Sequence, residues 1–338
     1  MDIDQLKARF PDENTCRQFF ESIIWRNGRL CPHCACAKSY QLSGKSSRSG
    51  LYECDECKRQ FTVTTRTPMH STKLPLWKWL LCMYLMVNSS KGVSSVFMAK
   101  WVGVAQKTAW KMGHAIRELM DPGAESQPPL HGIVELDEKY FGGKPRYEKG
   151  VKHKRGKGTE KQPVLVAVQR QGAVRSALVD NDSAAELSPW VERFVQKNAH
   201  LMTDENRAYL KIGKRYAEHS SVNHSDKEYA RGDVHNNTAE SFNSILERAK
   251  QGVFHYMSSK HLPRYLNEIG FRWNHRIPTE KKTKKGRKKI VMIAIPVIDL
   301  LYSLLSGAVG RQIRRSKNGG IFRPVASMAL AKQPFFGL

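Results

Sequence analysis

The stretch Ile133-Val134-Glu135-Leu136-Asp137 is an apolar run that ends in an acidic residue. A second run, 200–203, is followed directly by Asp204, and a helix-like segment further along contains Glu240. Two aspartates at strand ends and a glutamate on a later helix can meet at one point. Two magnesium ions held roughly 3.5–4 Å apart at such a point stabilise the attacking and the leaving oxygen of a phosphodiester. The stretch therefore predicts an α/β domain with a site for divalent metal at one edge of its sheet.

Each of these acids also has an ordinary structural interpretation. Glu135 lies on the same strand face as the first aspartate, and Glu138 is its neighbour in the chain. Asn237 can cap a helix, with Glu240 three residues later completing a capping box. The second aspartate, taken alone, is typical of a turn. The order of the three acids in a strongly basic chain favours the metal site.

The region after Gly132 has the pattern of an α/β domain with a mixed sheet. Proline residues before it, from Pro122 to Pro129, break the preceding helices and indicate a linker. Further helices are expected after Asp204 and Asn237. The predicted strands are Ile133–Asp137, Pro163–Val168, Ala173–Val179 and His200–Thr203, with a helix at Ala184–Asn198.

The charge of the chain indicates a polyanionic partner. Its 338 residues include 56 Lys and Arg against 31 Asp and Glu, a formal net charge of +25. Neutralising phosphates releases counterions, so this excess favours nucleic acid over the alternative of a merely soluble basic protein. Two basic runs, Lys144–Lys161 and Lys281–Lys289, are interpreted as an exposed loop and a mobile segment.

The N-terminus and the apolar segments predict a cytosolic protein. The first thirty residues are mixed and charged, without the apolar core of a signal peptide. Leu76–Val87 is too short for a membrane span, and Ile290–Leu305 is interrupted by Pro296 and Asp299. Both segments are predicted to be buried helices.

Seven cysteines in such a chain indicate metal binding before disulfides. Two C-x-x-C pairs about twenty residues apart match a zinc ribbon, in which four thiolates surround one structural Zn²⁺. His33 and Cys36 lie close to the first pair and leave one ligand ambiguous, whereas Cys16 and Cys82 are predicted to be ordinary buried residues. The metal folds the module, and the basic surface that it supports is expected to touch DNA. The four predicted ligands are Cys31, Cys34, Cys54 and Cys57.

Ser94–Met120 has the pattern of a helix-turn-helix segment. Ala99 lies four residues before Gly103, and a small residue and a turn glycine let two helices cross closely. Polar residues at the start of the second helix would then face base edges or phosphates. The alternative is a plain helical hairpin with a solvated charged face. The predicted DNA-facing residues are Gln106, Lys107, Thr108 and Lys111, and the predicted helix continues through His114 and Arg117.

These segments together resemble a known family. The ribbon, the helical segment, the stretch 135–144, Asp204, the block 235–242 and the stretch 271–276 look like bacterial insertion-sequence transposases of the DDE type, in the group with an N-terminal zinc ribbon. The resemblance covers roughly residues 15–276. It implies four parts: an N-terminal helix with the ribbon at 1–70, a DNA-binding segment at 71–122, a ribonuclease-H-like catalytic domain at 130–276, and a basic C-terminal extension at 277–338.

The resemblance also implies the site. Asp137 and Asp204 would bind Mg²⁺ or Mn²⁺, and the block that contains Asn237 and Glu240 would give the third catalytic position. Members of the family differ over which of the two is counted, and Glu240 is favoured because an anionic carboxylate suits a hard cation. The implied activity is DNA end cleavage and strand transfer in the bacterial cytoplasm, at the nucleoid, by a homo-oligomer that binds the element's terminal repeats and target DNA.

One position departs from the family pattern. A lysine often follows the acid by seven residues, and here Glu247 occupies that place, with Arg248 and Lys250 as alternative sources of positive charge. This substitution supports a second interpretation, a zinc-dependent DNA-binding protein with an inactive catalytic domain. A third is a structure-specific nuclease on the same fold.

Overall fold

The structure is a computed structural model that describes residues 1–44, 47–123, 127–143, 149–150, 161–222, 230–283, 286–315 and 321–322. It has two compact units. One contains residues 1–89, 93–121 and 295–338, and the other contains residues 90–92 and 122–294.

Groups of helices and strands alternate along the described chain. The helices are α1 (Ile3–Arg9), α2 (Glu13–Ile24), α3 (Leu76–Asn88), α4 (Ser95–Val102), α5 (Gln106–Leu119), α6 (Ala184–Phe194), α7 (Arg207–Gly213), α8 (Asn237–Ala249), α9 (Leu262–Asn274) and α10 (Val297–Ser306), with a π-helical turn at Lys250–Phe254. The strands are β1 (Ser39–Gln41), β2 (Tyr52–Cys54), β3 (Gln60–Phe61), β4 (Ile133–Phe141), β5 (Gln162–Gln169), β6 (Val174–Leu178), β7 (His200–Thr203), β8 (Glu218–Ser221), β9 (Ala230–Arg231), β10 (Val234–His235), β11 (Arg276–Lys282), β12 (Lys288–Ala294), β13 (Arg314–Arg315) and β14 (Ile321–Phe322).

The second unit is built on a five-stranded mixed sheet in the order β6-β5-β4-β7-β8. Strands β4, β5 and β6 are antiparallel neighbours, whereas β7 runs parallel to β4 and β8 runs parallel to β7. All four predicted strands are present, although β4 extends four residues beyond its predicted end. This order and these directions confirm the ribonuclease-H-like fold.

Side-chain alternation along β4 divides the core of this unit into two layers. Val134 and Leu136 pack on one face of the sheet with α6 and α7. The opposite face packs against α8 and α9, whose apolar residues include Phe242 and Trp273. Since α8 lies on this second face, odd-numbered residues of β4 point toward it.

In the first unit, helix α10 covers part of the N-terminal helical core. Its residues Leu301, Leu304 and Leu305 are fully buried, and it packs against α2 and α3. The Arg311 guanidinium donates to the carbonyl of Glu118 at the end of α5. Residues 295–313 therefore complete the helical unit. The predicted C-terminal extension over 277–338 is thus not a single separate segment.

The basic segment after α9 is also more ordered than its composition predicts. Strands β11 and β12 form a hairpin in which Ile277 pairs with Ile293 and Lys282 pairs with Lys288. The prediction of a mobile run over Lys281–Lys289 was therefore wrong for its described residues, because cross-strand pairing extends to Lys282 and Lys288. Ile290–Ala294 belongs to β12, so the predicted helix over this apolar run begins only at Val297.

Two further expectations concern the basic loop and the membrane. Most of the predicted loop Lys144–Lys161 lies outside the described residues. In the part of the chain that the structure describes, none of the helices combines the length and the apolar character of a membrane span.

Candidate metal centres and nucleic-acid interface

The two C-x-x-C pairs form matching turns. In each turn the residue after the second cysteine has a left-handed backbone, with φ of 64° at Ala35 and 52° at Lys58. The N–H of Ala35 donates to the carbonyl of Cys31 at 2.8 Å, and that of Lys58 donates to the carbonyl of Cys54 at 3.1 Å. The chain thus bends back within five residues, so that both thiols of a pair face one point.

The four thiols fit one zinc ion. Their sulfur atoms all lie within 4.8 Å of one another. The Sγ atoms of Cys31 and Cys57 are 3.7 Å apart, and those of Cys34 and Cys54 are 3.5 Å apart. A tetrahedron with Zn–S bonds of about 2.3 Å has edges of roughly 3.8 Å, close to both distances. The ribbon therefore has the donor set and spacing of a structural Zn²⁺ site.

The other cysteines lie outside this group. The Sγ atom of Cys36 accepts from the backbone N–H of Lys38 at 3.4 Å. Cys16 and Cys82 are buried, and burial raises the pKa of each thiol to about 12. Low thiolate content and burial make these two cysteines inert core residues, as predicted.

A second group of ligand atoms lies at the carboxyl end of the parallel pair β4–β7. The pairing of the two strands ends at Glu135 and Met202. Asp137 and Glu138 follow on β4, and Asp204 follows β7. One carboxylate oxygen from each of these three acids lies within 4.8 Å of the others. The predicted convergence of Asp137 and Asp204 on adjacent strands is therefore observed.

Asp137 is held in place by two donors. The side-chain amide of Asn243, on α8, donates to its Oδ2 atom at 2.6 Å, and the backbone N–H of Glu138 donates to its Oδ1 atom at 2.9 Å. The pKa of Asp137 is raised to about 6, mainly by burial; the charges of Asp204 and Glu240 also raise it, and the Asn243 hydrogen bond opposes them. The Asp137 carboxylate thus carries an unfavourable charge that a cation would stabilise.

Glu138 points to the other face of β4, toward α7. The pKa of Glu138 is raised to about 8, mainly by burial; the Tyr209 hydroxyl lowers it, and the charges of Asp204 and Asp137 also raise it. The side-chain amide of Asn206 donates to Glu138 at 3.2 Å, while the backbone N–H of the same residue donates to Asp204 at 3.0 Å. Asn206 therefore ties together two of the three clustered acids.

Glu240 is exposed on the first turns of α8, and its charge acts on Asp137. Among the described residues, it is not part of the tight group formed by the other three acids. The alternative of a capping box from Asn237 is wrong, because the helix cap is Asn236 and makes no side-chain cap bond. The Asn236 amide instead donates to the carbonyl of Leu136 at 3.0 Å, which fixes α8 against β4.

The sequence alone did not identify two of the residues at this site. Asn243 lies three residues after Glu240, about one helical turn away, so helical spacing would have placed it on the same side. Asn206 lies two residues after Asp204, in the helix-capping position of α7, where its side chain accepts from Ala208 N–H at 3.1 Å. Its cap role was recognisable in the sequence, but its bond to Glu138 required the fold.

Helices α4 and α5 are joined by the tight glycine turn that the helix-turn-helix prediction requires. Gly103 adopts a left-handed backbone with φ of 65°, and its N–H donates to the carbonyl of Ala99 at 3.0 Å. The Gln106 amide donates to the Ser95 hydroxyl at 2.8 Å, which joins the starts of the two helices.

The four residues of α5 that were predicted to face DNA lie on its accessible first half. Gln106, Lys107 and Lys111 are exposed, and Thr108 is half-buried. His114 and Arg117, further along the helix, are buried. Both pack inward because α5 turns its second half toward the helical core.

The position that departs from the family pattern is engaged within its own helix. The Lys250 ammonium lies 3.7 Å from the Glu247 carboxylate, and the Gln251 amide donates to the same carboxylate at 2.9 Å. Arg248 is exposed. Lys250 therefore partly offsets the negative charge that Glu247 introduces.

Known proteins match both units. Residues 129–274 match the family described as the ISXO2-like transposase domain, and residues 11–60 match the transposase zinc-ribbon domain. A protein of Halobacterium salinarum, described as an uncharacterized protein in transposable element ISH50, is 29% identical over 253 residues, which cover 71% of this chain and 83% of that protein.

Solved structures give weaker matches. The mariner Mos1 paired end complex with Mg is 12% identical, covers 61% of this chain and 77% of that chain, and has a TM-score of 0.26. The Mos1 strand transfer complex is 13% identical, covers 61% of this chain and 78% of that chain, and has a TM-score of 0.22. Because these scores are low, the fold assignment rests on the strand order.

The family matches over the zinc ribbon and over the sheet domain support a transposase role for the chain. The matched segments are similar to insertion-sequence transposases of the DDE type, in the group with an N-terminal zinc ribbon.

Replacement of single cysteines tests the zinc site. We expect Cys31→Ser to lose bound zinc and Cys36→Ser to keep one equivalent, because Cys36 lies outside the tetrahedron. Zinc content per chain, measured by atomic absorption, checks this expectation. Equal loss of zinc in the two variants would contradict the ligand set.

Deprotonation of the acidic group makes the metal-free protein less stable as pH rises. The pKa of Glu138 is about 8 in the folded state against an ordinary value of 4.5, and that of Asp137 is about 6 against 3.8. The folded state therefore binds more protons than the unfolded state across this window, and its stabilisation is lost as pH rises from about 4 to 8. We expect Glu138→Gln to reduce the fall in Tm between pH 5 and pH 8, measured in EDTA by calorimetry.

Glu192→Gln is the control, because Arg215 and Lys197 lower the pKa of Glu192 and remove it from this window. An undiminished fall of Tm in Glu138→Gln would show that Glu138 does not titrate in this pH range.

Proposed function

We propose that this protein cleaves the ends of its own insertion sequence and joins them to target DNA. The observation that carries the proposal is the convergence of Asp137 and Asp204 at the ends of two parallel strands, with Glu240 acting on Asp137 from α8. These acids come from separate parts of the chain, and burial makes the charge of Asp137 unfavourable. Such an arrangement is typical of a cation site and is costly without one.

Asp137, Asp204 and Glu240 are proposed to hold Mg²⁺ or Mn²⁺, since hard cations prefer carboxylate oxygens. Glu138 adds a fourth carboxylate beside the first two. Asn237 begins the same helix and remains an alternative to Glu240 as the third position. A divalent cation bound there supplies electrostatic stabilisation to the attacking and leaving oxygens of the phosphodiester.

The chain's own contribution is to fix these acids before DNA arrives. Asn243 orients Asp137 through its 2.6 Å hydrogen bond, and Asn206 bridges Asp204 and Glu138. In the first proposed step, a water oxygen bonds to phosphorus and the 3′ oxygen of the element's end leaves as a hydroxyl. In the second step, that hydroxyl attacks a target phosphodiester and displaces another 3′ oxygen. Neither step requires a covalent enzyme intermediate.

DNA is the proposed partner because positive charge is concentrated on defined surfaces. Gln106, Lys107, Thr108 and Lys111 lie at the start of α5, where exposed polar groups with fixed geometry suit a groove. The distal end of the β11–β12 hairpin carries Lys281, Lys282, Lys288 and Lys289 in paired register. Arg248 on α8 and Lys250 directly after it add charge to the segment that carries Glu240. Synapsis of two element ends calls for a homo-oligomer, and the DNA substrate places the protein at the nucleoid in the cytoplasm.

Two other functions make different predictions. An inactive catalytic domain would leave a zinc-dependent DNA-binding protein, and Glu247 is the residue that favours it. A structure-specific nuclease would cut DNA without joining it.

Substitution of the acids shows which of the three candidate functions is correct. We expect Asp137→Asn, Asp204→Asn and Glu240→Gln each to lower metal-dependent cleavage of element-end DNA at least about 100-fold, or roughly 2.7 kcal/mol in transition-state stabilisation. Glu247→Gln, on the same helix, is the matched control and should change cleavage by less than about fivefold. A gel assay with Mg²⁺, and with EDTA in parallel, measures cutting and joining together.

Cleavage that survives Asp137→Asn would contradict the assigned site. Binding without any metal-dependent cleavage would favour the inactive domain, and cleavage without joined product would favour the nuclease.

DNA recognition is expected to divide between helix and hairpin. The double variant Gln106→Ala, Lys107→Ala should reduce the difference in binding affinity between element-end DNA and random DNA. The reason is that side chains at a fixed helix start can read groove edges. Alanine at Lys281, Lys282, Lys288 and Lys289 should weaken binding to all DNA alike. It should also flatten the salt dependence by about one unit of slope for each phosphate that is no longer neutralised. Competition binding at two salt concentrations checks both variants, and a reversal of their effects would overturn the division.

A further inference from the structure

Glu135 is a fully buried acid that the proposed chemistry does not use. It lies on β4 two residues before Asp137 and points to the same face of the sheet. Its Oε2 atom accepts from the backbone N–H groups of Thr238 at 2.6 Å and Ala239 at 3.0 Å. Its Oε1 atom accepts from the Thr238 hydroxyl at 2.9 Å. A strand residue therefore caps the first turn of α8, where carboxylate charge also favours the helix dipole.

Arg170 completes the environment of this carboxylate. Its Nε atom donates to Glu135 Oε1 at 2.6 Å. Its Nη2 atom donates to the carbonyl of His235 at 3.0 Å and to Nδ1 of the same residue at 2.9 Å, an acceptor role that places the ring proton on Nε2. The same Nη2 atom lies 2.9 Å from the sulfur of Met202 on β7. One guanidinium thus joins β4, β7 and the segment just before α8.

The contacts of this pair fall at a constant sequence distance from the proposed metal ligands. Glu135 precedes Asp137 by two residues, Met202 precedes Asp204 by two, and Thr238 precedes Glu240 by two. Each of the three elements that carry an acid is therefore fixed just before that acid.

We propose that the Glu135–Arg170 pair is the positioning element of the metal site, setting the distance between α8 and the ends of β4 and β7. The inference rests on the proposed function, because it assigns a role relative to the cation that the three acids would hold. Glu135 acts through other residues and is not itself a ligand, since both of its oxygens are already engaged by four donors.

The charge of the pair explains why it suits this task. A buried carboxylate without its partner is strongly destabilising, so α8 is fixed only where both Arg170 and the helix N–H groups reach Glu135. Partners that orient metal ligands typically change metal affinity 10–100-fold when they are removed. Loss of the pair should therefore loosen α8 first and weaken metal binding as a consequence.

The test uses the full chain with Glu135→Gln, Arg170→Gln and the double variant. Glu268→Gln is the matched control, because Glu268 is equally buried in the same unit and lies 2.6 Å from Arg272. In metal-free protein, hydrogen–deuterium exchange of peptides from 236 to 242 measures the anchoring of α8. In a second measurement, Mn²⁺ titration followed by electron paramagnetic resonance gives the affinity of the site, with Asp137→Asn as reference.

We expect Glu135→Gln to accelerate exchange in the first turn of α8 at least about tenfold and to weaken Mn²⁺ binding about 10–100-fold. Arg170→Lys should recover part of both effects. The double variant should lose no more exchange protection and no more Mn²⁺ affinity than either single variant, as expected of residues that act as a unit. Glu268→Gln should leave the first turn of α8 unchanged even where it lowers Tm by a similar amount.

Unchanged exchange in Glu135→Gln would overturn the inference, as would equal exchange in Glu268→Gln. The proposed function fails separately: if wild type binds Mn²⁺ no better than Asp137→Asn, the metal site is wrong, while the exchange data still decide whether the pair anchors α8.

Discussion

Repulsion between carboxylates at the end of a parallel strand pair is the constraint that shapes this structure. Because β4 and β7 run in the same direction, their carboxyl ends meet at one edge and bring Asp137 and Asp204 together. Burial adds to the cost, raising the pKa of Asp137 to about 6. The fold offsets part of that cost with donors from Asn243 and Asn206, and it pairs its Arg170 cation with Glu135 instead. Amide donors carry no net charge, so the cluster keeps its acidic character, which suits a divalent cation.

The sheet domain and the zinc ribbon gain stability in different ways. The second unit has a sheet covered on both faces by helices, so apolar burial is its main source of stability. The ribbon has a core of only a few residues, including Tyr52 and Phe61, and a domain that small needs a metal to fold. Arg29 stacks over Tyr52 at 3.9 Å, so the ribbon's aromatic core also supports part of its basic surface. Metal binding and DNA contact are thus expected to depend on each other in the ribbon.

Much of this arrangement could be predicted from the sequence, because periodicity and spacing are local signals. The four strands, the two C-x-x-C turns and the place of Asp137 and Asp204 were predicted correctly. Hairpin β11–β12 was missed because a run of lysines hides the pairing of the flanking apolar residues. The burial of His114 and Arg117 and the return of α10 to the helical unit depend on contacts distant in sequence. Glu135 was recognised only as a competitor of Asp137, since its partners Arg170 and Thr238 are far along the chain.

The proposed function depends above all on a divalent cation held by Asp137 and Asp204, with Glu240 on α8. A crystal structure of the full chain with Mn²⁺ and anomalous scattering data would show that cation directly. We predict an anomalous peak about 2.0–2.2 Å from carboxylate oxygens of Asp137 and Asp204, with Glu240 turned toward it. Manganese bound elsewhere, or a peak at this edge of the sheet that persists in Asp137→Asn, would contradict the assignment.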